Sequence, residues 1–315
     1  MKKFKIIAVV LIMINLSAVA QLQVGQGINP WFHKLPALNN MSLVSMNSVP
    51  TANLLFGSRM DAFDNHPTQA TLLASGFISD GLGVGLKLDR EQAGLFKHID
   101  VQLAFVYHVF LNKEKGDKLS FFLGGHFIQN QFMFNGAIVI DGDDPGLEGV
   151  SEFQPSGNAS IGFSFLRENK YYVGVSSSNL ITINNGFKNN TLTNPTERAY
   201  YFVGAYTFRL NSKFALEPSA AAVFVNENAY AWDVGVDLKF NKMVWIGAGY
   251  RSVGALKFNF GVTAQSWSFG YMCVYGSWVD ATAYTYKAVN NSIFIRKIFN
   301  EGRGNKRWKN WFLFW

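Results

Sequence analysis

Between residues 230 and 276 the chain alternates apolar with polar or small residues in four successive runs, with short turns between them. In the first run Trp232, Val234, Val236, Leu238 and Phe240 share one face, and Asp233, Gly235, Asp237 and Lys239 the other. Asn241-Lys242 turns the chain. In the second run Val244, Ile246, Ala248 and Tyr250 oppose Gly247, Gly249 and Arg251. In the third, Leu256, Phe258, Phe260 and Val262 oppose Lys257, Asn259, Gly261 and Thr263, and in the fourth Trp267, Phe269, Tyr271 and Tyr275 oppose Ser268 and Gly270. A two-residue period puts successive side chains on opposite faces of a strand. Strands of about 9–11 residues with one apolar face, aromatic ends and short turns are expected of a transmembrane β-barrel.

The same alternation recurs at 53–61, 68–77, 83–90, 100–111, 118–131, 157–166, 171–178, 199–210 and 214–225, with a closing run at 291–298 and an uncertain one near 135–140. These are fourteen runs, or fifteen with the one near 135–140, and single-chain bacterial barrels have even strand numbers, which selects fourteen. The expected fold is therefore all-β, an antiparallel outer-membrane barrel of about fourteen strands over residues 51–298. Residues 21–50 do not alternate and carry Asn29-Pro30-Trp31-Phe32 and Leu35-Pro36-Ala37. Proline is excluded from central strands, so this stretch reads as an irregular segment, periplasmic or inside the barrel. Two long loops are expected at 132–155, with the acidic run Asp141-Gly142-Asp143-Asp144-Pro145-Gly146, and at 184–196. In the tail, residues 299–315, Arg303, Lys306, Arg307 and Lys309 precede Trp311-Phe312-Leu313-Phe314-Trp315, apolar on both faces. A periplasmic or interfacial extension fits that pattern better than a last strand.

Composition sharpens the picture. The 315 residues are 49% hydrophobic and only 16% charged, yet no apolar run beyond the N-terminus is long enough for a spanning helix. A barrel resolves this, because its lipid-facing residues are diluted by lumen-facing ones. At the N-terminus Lys2, Lys3 and Lys5 precede an apolar core and Ala18-Val19-Ala20. That is the pattern of a signal peptide over residues 1–20, with the mature chain starting at Gln21 and exported to the outer membrane. The net charge of +7 includes those three lysines, so little excess remains to suggest a nucleic-acid partner. The single cysteine, Cys273, precludes an internal disulfide.

Candidate chemistry is sparse. The acidic stretch 141–148 holds several oxygen ligands but not the EF-hand order, so a solvated loop is the better reading. The histidines His33, His66, His98, His108 and His126 have no metal-ligand spacing. There is no G-x-S-x-G elbow. No catalytic residue, metal or cofactor is expected. Asp233, Asp237, Lys239, Arg251 and Lys257, on the inward face, either line a pore or pair across strands; pairing is favoured because buried charges need partners. On this reading Leu238→Arg costs about 2–4 kcal/mol if Leu238 lies near the bilayer midplane, and Lys239→Gln is tolerated.

The order of segments resembles the PorP/SprF family of type IX secretion system outer-membrane proteins. Asn29-Pro30 and Leu35-Pro36-Ala37 look like its N-terminal elements, with Leu35 a departure, and Arg59 followed by Pro67-Thr68-Gln69-Ala70-Thr71-Leu72 resembles its first strands. Gly81-Leu82-Gly83-Val84-Gly85, Leu119-Ser120-Phe121 with Gly124, Asp143-Asp144-Pro145, and Tyr171-Tyr172-Val173-Gly174-Val175-Ser176 with Asn179-Leu180 follow in order. So do Glu217-Pro218-Ser219, Trp245-Ile246-Gly247-Ala248-Gly249-Tyr250-Arg251 and Gly270-Tyr271. The likeness spans about residues 21–298. Tyr271-Met272-Cys273 and the tail depart from it. The resemblance implies a non-enzymatic barrel that helps secrete or anchor C-terminally tagged adhesins and links to the secretion and gliding machinery. Its partners would be a secreted adhesin or its C-terminal sorting domain, other type IX components and outer-membrane lipid. Recognition on the two long loops would fall to Asp141, Asp143, Asp144, Phe187, Lys188, Asn189 and Asn190, since irregular loops on a rigid scaffold commonly carry recognition. The alternative is a passive outer-membrane transporter or porin for small or hydrophobic solutes.

Overall fold

A computed structural model describes residues 27–44, 49–60, 66–79, 81–94, 96–112, 115–132, 152–168, 170–181, 197–226, 229–252, 254–279 and 285–299. The expected signal peptide, the seven loop residues assigned to recognition, the uncertain run 135–140 and the tail 300–315 lie outside the described residues.

The strands are β1 (Thr51–Met60), β2 (Thr68–Ser79), β3 (Leu82–Ala93), β4 (Phe96–Asn112), β5 (Asp117–Phe132), β6 (Glu152–Arg167), β7 (Tyr171–Ser178), β8 (Ala199–Tyr206), β9 (Phe208–Arg209), β10 (Phe214–Asn226), β11 (Ala229–Phe240), β12 (Val244–Arg251), β13 (Ala255–Ala264), β14 (Trp267–Val279) and β15 (Thr285–Ile298). Segments β8 and β9 are two lengths of one stave, both paired with β10. Neighbours pair antiparallel, and β1 pairs with β15 from Thr51↔Ile298 to Met60↔Val289, which closes a fourteen-stave barrel. Closure gives each strand a neighbour on both sides and removes the free sheet edges that lipid cannot tolerate.

The alternation sets the faces. Phe105, Phe121, Leu123, Phe127, Ile246, Phe258 and Phe260 point outward and are 45–62% exposed, while Asp233, Asp237, Lys257 and Ser268 point inward and are 0–2% exposed. The first residue of β1 and the last of β15 meet at one end, with the 209–214 and 240–244 turns. The chain leaves β5 and β7 for the long loops at the other end. Periplasmic turns are short and extracellular loops long, so the first end faces the periplasm. Asn241 and Lys242 both have positive φ, 48° and 59°, the backbone of a two-residue turn whose twist matches its flanking strands. An aromatic girdle rings this rim: Phe214–Phe240 at 5.0 Å, Tyr206–Phe208 at 4.4 Å and Tyr171–Tyr206 stacked at 5.9 Å. Leu238 is two positions from the turn, beside that girdle. It is therefore not a midplane residue; Phe258, six positions from the end of β13, is nearer the middle.

Prolines fall inside two strands: Pro218 lies in the run 214–225 that the alternation marked as a strand, whereas Pro155 lies where a loop was expected. Pro155, in β6, pairs with Gln129 of β5, so the loop expected to run to 155 ends before Glu152. The β7 ladder reaches only Ile161 of β6, so among the described residues Pro155 has a paired strand on the β5 side alone. Pro218 pairs with Val236 on β11 and lies opposite the break at Thr207 between β8 and β9. Each proline sits where no ladder partner requires its missing N–H.

The filled lumen as candidate functional site

Residues 27–44 lie inside the barrel and form a plug. Two short 3₁₀ turns, Pro36–Leu38 and Met41–Leu43, keep it compact; Pro36 opens the first, and Asn40 caps the second by accepting from Ser42 N at 3.0 Å. Trp31 and Phe32 are 1% and 0% exposed. The plug touches the wall around its circumference. Trp31 Nε1 donates to Ser292 Oγ on β15 (2.9 Å), Asn40 Nδ2 donates to Phe163 O on β6 (3.2 Å), and Ser176 Oγ on β7 donates to Asn39 O (2.8 Å). Arg251 Nη2 on β12 donates to Ile28 O (2.9 Å), and Arg296 Nη2 on β15 donates to Lys34 O (2.9 Å). Apolar packing joins Trp31, Leu35, Leu38, Met41 and Val44 to Leu55, Leu73, Trp245 and Phe294 in one core. Two wall glycines make room: a Cβ on Gly270 would lie 2.9 Å from the Trp31 ring, and one on Gly85 2.9 Å from Val44. A crevice of about 70 Å³ remains on the periplasmic side, between His33, Lys34, Tyr172, Glu217 and Arg296.

Charge reinforces this anchoring. Lys34 Nζ is 2.9 Å from Asp237 Oδ2 and 4.8 Å above the Trp245 ring. Asp233, fully buried, receives Lys257 Nζ at 2.5 Å and Arg251 at 2.9 Å. Lys257 Nζ also lies 4.7 Å over the Phe32 ring. Lys239 Nζ donates to Glu217 Oε2 (2.7 Å), which also accepts from Thr207 Oγ1 (2.6 Å). Five inward charges singled out in the sequence are thus paired, with Asp237 paired to the plug rather than across strands. Burial lowers Lys34, with Asp237 opposing the shift. Burial pushes His33 down to about 4, against Asp237 and reinforced by Lys257 and Lys34. At neutral pH His33 is therefore uncharged, and its 3.8 Å approach to Asp237 is not an ion pair.

The opposite wall carries a second polar lattice. Asp100 is bracketed by Lys87 Nζ (3.2 Å) and His126 Nδ1 (2.9 Å), and His126 Nε2 and Gln102 Nε2 both reach Ser160 Oγ, at 2.9 and 2.8 Å. His98 Nδ1 pairs with Asn130 Oδ1 (2.7 Å), and Thr71 Oγ1 donates to Asp89 Oδ1 (2.6 Å). No group of three or more His, Cys, Asp or Glu side chains with metal-site geometry occurs among the described residues. The sequence reading missed Trp31, His33, Lys34, Asn40 and Trp245 as contact residues. For the plug residues the only signal was an aromatic and basic run beside proline where alternation had not begun; Trp245 was legible only as a large side chain on the inward face of β12.

The family model for the type IX secretion system membrane protein PorP/SprF matches residues 40–289. The chain belongs to the PorP/SprF family. No curated protein matches this PorP/SprF chain in sequence. Among solved structures, the monoaromatic hydrocarbon channel CymD is similar at TM-score 0.55 and 10% identity, over 92% of this chain and 100% of that one. The Pseudomonas putida toluene transporter TodX is similar at TM-score 0.49 and 8% identity, over 89% of this chain and 96% of that one. At such identities the CymD likeness establishes the barrel fold alone. Fold and family together make this PorP/SprF protein an outer-membrane β-barrel of the type IX secretion system.

Proposed function

We propose that this barrel serves as a plugged adaptor: it helps secrete or anchor C-terminally tagged adhesins at the cell surface and links them to the secretion and gliding machinery. The observation that carries the reading is the filled lumen. A barrel whose periplasmic half is packed with Trp31, Phe32, Met41 and Val44 obstructs bulk solute there, which favours its loops and rims as working surfaces. The long loops leave the extracellular end, and Asp141, Asp143, Asp144, Phe187, Lys188, Asn189 and Asn190 are the proposed contacts for the sorting domain of one or a few secreted proteins. Recognition concentrates on irregular loops carried by a rigid scaffold.

Deleting residues 186–194 from the full-length protein tests this. The expected result is a barrel that still inserts and migrates heat-modifiably, with reduced surface display of its adhesin and unchanged export of other cargo. Unchanged display from a folded deletion protein would overturn the loop assignment. Loss of all type IX export would instead assign the barrel a core role in the machine.

A further inference from the structure

The outer wall carries a feature that lipid contact in general does not explain. Along the ladder Val236↔Ala248↔Phe258↔Cys273↔Asn291↔Ser58↔Thr68 the outward residues are small at Ala248, Cys273, Asn291, Ser58 and Thr68. The next row toward the periplasm, Ile246↔Phe260↔Tyr271↔Ile293↔Phe56, is large at every position. It continues through Ala70 to Arg90. That mostly small row, interrupted by Phe258, lies beside the row of large side chains and forms an oblique trough. It comprises two recesses of about 420 and 450 Å³ that meet at Tyr271. The first is apolar around Ala248, Phe258 and Cys273; the second is also mostly apolar but carries the polar groups of Ser58, Thr68, Asn291 and Arg90 in its lining. Tyr271 Oη donates to Asn291 Oδ1 at the junction, so the amide on this face is held by a hydrogen bond.

Height and charge give the trough a direction. Arg90 lies eight residues from the periplasmic start of β3 at Leu82. At about 2.5 Å of height per residue for a strand tilted near 40°, it stands about 20 Å up, close to the outer edge of an apolar band about 25 Å tall. Its side chain points outward and is exposed, with Gln92 Oε1 at 3.4 Å. Lys97 faces the same way on β4, opposite Gln92. Among the described residues, the outward face of β1–β5 carries no carboxylate in this extracellular half. A guanidinium at headgroup height above an apolar trough matches an amphiphile with a phosphate head, because guanidinium pairs with phosphate through parallel hydrogen bonds.

We propose that this trough binds one phosphorylated lipid of the outer leaflet, with its phosphate on Arg90 and an acyl chain running past Tyr271 toward Ala248. The test is native mass spectrometry of the refolded full-length protein, with bis-phosphorylated lipid A and its dephosphorylated form as probes. Wild type should retain lipid A about tenfold better than the dephosphorylated form, the scale of one charge-assisted contact. Arg90→Gln should lose that preference, Arg90→Lys should recover much of it, and Ala70→Trp, which fills the trough, should lose both lipids. Arg209→Gln, at the periplasmic rim, should bind as wild type. Heat-modifiable migration of each variant shows whether it has folded. Equal retention of lipid A by wild type and Arg90→Gln would overturn the proposal. So would retention of inorganic phosphate with no preference between the two lipids.

Discussion

On the β3–β6 wall the inward polar groups close among themselves: Lys87, Asp100, His126, Gln102 and Ser160 are each other's partners. On the β10–β15 wall the equivalent groups reach across to the plug: Asp237 holds Lys34, Arg251 holds Ile28 O and Arg296 holds Lys34 O. Both walls bury charge, and buried charge without a partner is strongly destabilising. The difference is what happens if the plug leaves. The first wall keeps its partners, whereas the second loses a cation from Asp237 and carbonyl acceptors from two arginines. The charge pattern therefore holds the plug on one side of the lumen and lets the other side stand as scaffold.

The two walls part most clearly when one carboxylate on each is neutralised. Asp237→Ala leaves Lys34 buried without its nearest carboxylate and should weaken plug seating by about 3–5 kcal/mol. Protease cleavage within residues 27–44 of the folded protein would report it. Asp100→Ala should leave that cleavage at the wild-type rate, although it lowers barrel stability. Nearly as large is Trp31→Ala, a truncation at a fully packed site, expected to cost about 3–5 kcal/mol of plug seating by the same assay. On the outside, Phe258→Arg should cost about 2–4 kcal/mol in refolding titrations, and Leu238→Arg, beside the girdle, about 0–1 kcal/mol.

A smaller effect follows from His33. Seated, its pKa is lowered to about 4; released into water it returns to about 6.5. The released plug then binds more protons between those values, so seating is at full strength above about pH 6.5 and weakens as pH falls to about 4. Asp237, Asp233, Lys34 and Lys257 face the ring, and Asp237 offsets part of the loss. Plug protection measured at pH 7 and pH 5 should decline, and His33→Gln should flatten the decline. The least effect is expected from Ser292→Ala, which removes the acceptor of Trp31 Nε1 at a cost of about 1 kcal/mol.

The wall was legible in the sequence because period two is a local signal. Residues 171–178 and 214–225 mark β7 and β10 within a residue at each end. Edges were not: β4 begins at Phe96 and β15 at Thr285, earlier than the alternation suggested, because those lengths are fixed by a paired neighbour rather than by their own pattern. The plug was read as irregular from its prolines, but its contacts, such as Trp31 to Ser292 across 261 residues, leave no periodic trace. Lys239 illustrates the same limit. Its place on the inward face was evident, but its ion pair with Glu217 lies on a different strand, and Lys239→Gln is now expected to leave that carboxylate poorly paired.

On this reading, residues 27–44 close the lumen and hold this PorP/SprF barrel shut to solute. Single-channel recording in planar bilayers tests it most directly, with the full-length protein beside a variant lacking residues 28–44. The full-length barrel should show no steady conductance at neutral pH, and the deletion variant should open a persistent aqueous conductance. Equal, persistent conductance from both would contradict the account.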